Sequence, residues 1–117
     1  MTYADYQKYF EKQAGAEKTR FAKLPVEELL ANIRAHRFGD CYQIWYSLAE
    51  RATPEQANSL LLSCLESELD YLHRYHCAAA LIGINKLQGW EPHYLSANET
   101  QPVKANLVKV RRELNEV

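Results

Sequence analysis

The sequence predicts an all-α protein of about six short helices packed as antiparallel pairs, arranged as an α-α superhelix or an irregular helical bundle. Apolar residues return every three to four positions along most of the chain. Helix-starting and helix-stopping residues bracket each apolar run, and no segment alternates β-branched residues with a period of two. With 117 residues, 47% hydrophobic and 25% charged, the chain has the length and composition of one globular domain with its own core.

The first element starts at Thr2, where Asp5 stands in the capping-box position three residues on. Tyr6, Tyr9, Phe10 and Gln13 follow on one face. Gly15 is expected to interrupt this helix before a second short stretch ending near Phe21, since an interior glycine costs about 1 kcal/mol relative to alanine. The tyrosine-rich stripe is expected to dock on the rest of the domain; left exposed, it becomes a partner site. This N-terminal segment covers residues 1–23.

A helix pair is expected over 24–52. Pro25 opens it, Glu27 and Glu28 occupy the first turn where the helix dipole favours negative charge, and Val26, Leu29, Leu30 and Ile33 line one face. Arg34, His36 and Arg37 precede Gly39, which reads as a left-handed cap. Asp40 then caps a helix carrying Cys41, Ile44, Trp45, Leu48, Ala49 and Ala52, across a turn tight enough to force an antiparallel hairpin. A second pair is expected over 53–88. Thr53, Pro54 and Gln56 form a strong start signal, Leu60, Leu61, Cys64 and Leu65 supply the apolar face, and Asp70 begins a helix running to about Leu87. Leu72, Tyr75, Ala78, Ala79, Leu81 and Ile82 cover more than half its circumference, which predicts burial on two sides. Gly89 stops it, Trp90 to His93 reads as an irregular connector, and a last helix over 96–117 carries Val103, Leu107, Val110 and Leu114 with Lys109, Arg111 and Arg112 toward its end.

Shifting the chain by about 30 residues aligns the two pairs, placing Pro25 near Pro54, Asp40 over Asp70, Trp45 over Tyr75 and Ala49 over Ala79, a period of the kind seen in α-solenoids. Arg74, Cys77, the three alanines after it, Leu81, Gly83 and Ile84 resemble the second helix of a HEAT-type repeat. The resemblance implies a short HEAT-like or armadillo-like stack in which Asp70 and Arg74 stitch neighbouring repeats together. The 40–52 helix has Ile44 where the repeat's Arg belongs. A plain bundle of helices of similar length accounts for the spacing equally well.

Charge narrows the function. The chain has 14 basic and 15 acidic residues, so no overall field draws it to nucleic acid or lipid. Residues 1–39 hold seven bases and five acids, 40–100 three and eight, and 101–117 four and two. The acidic centre argues against a nucleic-acid reader. No apolar run approaches the roughly 18 residues of a membrane span, and the start lacks the basic-then-apolar pattern of a signal peptide, so a cytoplasmic protein is expected. Cys41, Cys64 and Cys77 are odd in number and form no CxxC, which reads as three core thiols.

Candidate chemistry is sparse. Asp70, His73 and Cys77 share a helix face and could converge on a metal ion, but no second element offers matching ligands, so no cofactor or metal is expected. A thiolate nucleophile beside His76 would need a polar setting that these cysteines lack. Four glycines leave no phosphate-cradling loop or nucleophile elbow, and catalysis is not expected. Trp90, His93 and Tyr94 sit in the irregular connector, where aromatic side chains are often exposed, and form the expected partner-contacting patch. The reading is a non-catalytic interaction module or adaptor with a helix-lined surface, whose acidic middle favours a basic protein segment and which dimerises if one copy cannot finish its core. The alternative is a small-molecule or metal-binding accessory protein using His73 and His36.

Overall fold

In the computed structural model, which describes residues 2–97 and 100–115, the chain is all-helical. The order is α1 (Tyr3–Ala22), α2 (Val26–Arg34), α3 (Gln43–Arg51), α4 (Pro54–Leu65), α5 (Tyr71–Asn85), α6 (Pro92–Ser96) and α7 (Thr100–Glu113). By its internal contacts it divides into a first unit ending at Arg51 and a second starting at Ala52. Each is an irregular helical bundle. Among the described residues no helix is long and apolar enough to cross a membrane.

The start of α1 is the capping box read from the sequence: the Asp5 amide donates to the Thr2 hydroxyl at 3.1 Å, and the Thr2 amide donates to the Asp5 carboxylate at 3.2 Å. Gly15 does not interrupt it. α1 is one helix of 20 residues, and at Gly15 the hydroxyl of Thr19 donates to the backbone carbonyl at 3.0 Å. Favourable capping and continuous neighbouring turns outweigh the glycine penalty.

α2 ends differently from the expectation. The left-handed residue that closes it is His36 (φ 56°), with its amide on the Ile33 carbonyl and the Arg37 amide on that of Asn32. Gly39 is left-handed as well (φ 76°) but lies beyond the helix end, in the connection to α3. That connection is not a tight turn. It runs from residue 35 to 42, and α3 begins at Gln43, so Asp40 and Cys41 precede the helix they were expected to cap and to line.

A residue of α1 takes over the capping of α3. The carboxylate of Glu17, only 8% exposed, accepts the amides of Asp40 at 2.8 Å, Cys41 at 3.1 Å and Gln43 at 3.3 Å. Amides in the stretch leading into a helix have no intrahelical acceptor, and a negative charge there also meets the positive end of the helix dipole. At the opposite end Arg51 of α3 donates to the carbonyls of Phe21 and Leu24, just where α1 terminates. α1 and α3 therefore run parallel, each supplying the charge that the other's end requires. α2 packs against α3. Leu29, Leu30, Ile33, Ile44, Trp45 and Leu48, each no more than 1% exposed, form the core, and Phe38 stacks on Trp45 with ring centres 5.5 Å apart.

In the second unit α4 and α5 are an antiparallel pair. Asn58 near the start of α4 exchanges side-chain amide bonds of 3.0 and 2.7 Å with Asn85 at the end of α5, while the Cys77 thiol, midway along α5, donates to the Leu61 carbonyl at 3.3 Å. The Thr53 and Gln56 capping box starts α4 as expected. Leu62 is fully buried, with Leu60 half-buried beside it. α5 is covered on two sides, by α4 and by α6, but Leu72 is 49% exposed. Lys86, left-handed at φ 52°, ends α5 three residues before Gly89. α6 is a seventh helix within the stretch expected to be irregular, and α7 packs against it, with Val103, Leu107 and Val110 buried.

A β-carbon at Gly39 would stand 2.7 to 2.9 Å from the three carboxylate atoms of Glu17, on a backbone that L-residues rarely adopt. Glu17→Ala is expected to lower unfolding free energy by about 2 kcal/mol by orphaning the α3 amides, Glu17→Gln by about half as much, and Gly39→Ala by about 2 kcal/mol from strain and overlap. Urea denaturation of the three variants measures this; equal stability of all with the parent protein would refute it.

Candidate functional site

The expected partner patch lies at the corner between α5 and α7. Past Lys86 the chain turns through Gly89 and enters α6 at Pro92, whose missing amide proton costs nothing in a first helical turn. α6 has little more than one turn, yet it is fixed on both sides. Leu95 and Ser96 are fully buried, the Ser96 hydroxyl donates to the Pro92 carbonyl at 2.7 Å, and the Asn106 side-chain amide of α7 donates to the Tyr94 carbonyl at 2.9 Å.

This frame gathers Trp90, His93 and Tyr94 into one cluster. The Tyr94 ring meets His93 edge to face at 4.5 Å and Trp90 at 6.4 Å, both at 68°. Such tilted arrangements place the positive edge of one ring on the negative face of another. Tyr94 is 39% exposed and the His93 side chain 52%. The half-buried Trp90 donates its indole N–H to the Glu113 carboxylate at 2.7 Å, and His93 Nδ1 lies 3.4 Å from the Glu91 carboxylate. The result is a rigid, partly exposed aromatic surface bordered by two carboxylates.

Asp70, His73 and Cys77 form no metal site. Asp70 is exposed, His73 is half-buried on α5, and Cys77 is fully buried with its thiol against α4. Among the described residues no group of three His, Cys, Asp or Glu side chains is placed to hold a metal ion. His36 stacks on Phe38 at 5.3 Å. All three cysteines are free and buried. Burial pushes the Cys77 thiol well up and, together with the charges of Glu17 and Asp40, raises that of Cys41, whereas the neighbouring Cys77 thiol holds Cys64 below its ordinary value. A cleft of about 350 Å³ lies in the second unit between Leu65, Arg74, Val103, Lys104 and Leu107, with the Glu66–Arg111 ion pair of 2.5 Å nearby.

The tyrosine-rich stripe, expected to dock or, if exposed, to serve a partner, is a second aromatic surface. The stripe at the start of α1 does not dock: Tyr3 is 76% exposed, Tyr6 and Tyr9 57% and Phe10 45%, and only the later part of the helix is buried, through Glu17 and Phe21. The signal was the length of the stripe. Its spacing continues unbroken past the point where α3 begins. Comparison of the chain with protein-family models, with curated proteins and with solved structures returns no match.

On α5, burial and then the neighbouring His73 hold His76 below its ordinary value of 6.5. The unfolded chain therefore binds the proton more readily than the folded one, so stability rises with pH through the window below 6.5 and falls on acidification. The urea midpoint should drop between about pH 7.5 and about pH 5.5, and His76→Gln should flatten that slope. A slope unchanged in the variant would contradict the assignment.

Proposed function

We propose that the chain is a non-catalytic protein-interaction module that receives a basic segment of a partner protein on the Trp90, His93 and Tyr94 corner. The observation carrying this reading is the fixed ring cluster with Glu91 and Glu113 at its edges. A guanidinium or ammonium group gains from lying over the electron-rich face of Trp or Tyr, by about 0.5–2 kcal/mol, and from a carboxylate within reach. Both are supplied at one place. Aromatic anchors on a buried, hydrogen-bonded α6 lose little entropy on binding, which favours affinity over an equivalent flexible loop. The excess of acids over bases in residues 40–100 adds a field of the right sign.

Other features accord with an adaptor. The likeness of Arg74 to Ile84 to a HEAT-type helix belongs to a class of scaffold that binds through helix-lined surfaces. Three buried free thiols suit a reducing compartment such as the cytoplasm.

Selection from a random peptide library displayed against the protein tests the proposal. Sequences enriched in Arg and Lys are expected, and Trp90→Ala or Tyr94→Ala should weaken a selected peptide by about 30-fold, as for an interface hot spot. Enrichment of neutral or acidic peptides, or binding indifferent to both substitutions, would refute it.

A further inference from the structure

We propose that the cleft in the second unit is a binding site for a small amphipathic acid, a single carboxylate carried on a compact apolar body. It shares no lining residue with the Trp90 corner, and neither reading needs the other.

Four helices meet at the cleft. Leu65 and Glu66 come from the end of α4, Arg74 from the first turn of α5, Ala97 from the end of α6, and Val103, Lys104 and Leu107 from the first half of α7. Leu65, Val103 and Leu107 are buried, and together with Ala97 they give the cleft an apolar wall. Its volume of about 350 Å³ falls at the small end of the range for ligand pockets, about 300–1,000 Å³. An apolar wall with a few polar groups is the composition of a small-molecule site.

The polar part of the wall decides the sign of the ligand. Arg74 and Lys104 are its cations, and Glu66 is its one acid among the described residues. Glu66 is already engaged: Nε and Nη2 of Arg111 donate to its Oε1 at 2.9 and 2.5 Å. The Ser67 hydroxyl, also on the wall, donates to the Cys64 carbonyl at 2.7 Å. Asp70, four residues before Arg74, is exposed and is not part of the wall. With the Glu66–Arg111 pair closed on itself, the charge that remains on the cleft is positive, and a concave apolar site concentrates such a field.

The two cations suit a carboxylate. A guanidinium offers it two parallel N–H groups, and an ammonium adds a mobile point charge. A neutral apolar ligand would strip water from the half-buried Arg74 without replacing it, which costs affinity. A cationic ligand would be repelled. An acid without an apolar body would leave the buried leucines and valine of the wall in contact with water, and so gain little from the cleft.

An NMR titration of the full chain with octanoate as the probe tests the proposal. One saturable site is expected, with a dissociation constant of about 0.1–1 mM, which about ten heavy atoms can reach, and with shifts at the methyl groups of Leu65, Val103 and Leu107. Octanol, the same chain without the charge, should bind about tenfold more weakly, and octylamine more weakly still. Lys104→Glu, at an exposed position, should weaken octanoate by about tenfold. Lys109→Glu, also exposed but outside the wall, makes the same change in net charge and should not. Unaltered far-ultraviolet circular dichroism in both variants keeps folding out of the comparison. Absence of saturation up to about 10 mM octanoate, shifts confined to other residues, octanol or octylamine binding as tightly as octanoate, or equal effects of the two lysine substitutions would overturn the proposal.

Discussion

Two charged side chains, exchanged between parallel helices, set the geometry of the first unit. Glu17 of α1 closes the amides leading into α3, and Arg51 of α3 closes the carbonyls at the end of α1. A carboxylate that is nearly out of water is costly unless its lone pairs are taken up, and here three backbone donors take them. The same bonds fix the level at which α3 begins beside α1, and hence how much of α1 runs on without cover. Gly39 follows from this arrangement, since the carboxylate occupies the space of a β-carbon. So does the eight-residue path from α2, which must bring residues 40 to 43 to Glu17.

What the sequence disclosed was whatever is decided locally. The capping boxes at Thr2 and Thr53 involve residues three apart, and both are present. The apolar faces of α2, α4 and α7 emerged from spacing alone, as did the absence of strands among the described residues. Glu17 was illegible for the opposite reason. Between Ala16 and Lys18 it resembles any solvated helical glutamate, and its partners lie 23 to 26 residues away. Asp40 was assigned the capping role because its type suits it, yet a carboxylate from another helix had already filled the position. His36, Tyr42 and Lys86 adopt left-handed backbone angles that propensity reserves for glycine, so helix ends read from Gly39 and Gly89 fell a few residues late.

The candidate surfaces show the same division. That Trp90, His93 and Tyr94 would cluster follows from their closeness in sequence; that they sit on a fixed helical turn depends on Leu95 and Ser96 being buried and on the Asn106 bond from α7. Sequence periodicity identified the α1 stripe but not its fate, because covered and uncovered halves carry the same pattern.

Amide hydrogen exchange at Asp40, Cys41 and Gln43, followed residue by residue by NMR, addresses the central claim most directly. If the Glu17 carboxylate holds these donors, they exchange slowly in the parent protein, on the scale of the α3 core amides and not of a surface connection. Fast exchange at all three, with α3 itself protected, would show that the helix end is closed by water and would contradict the account.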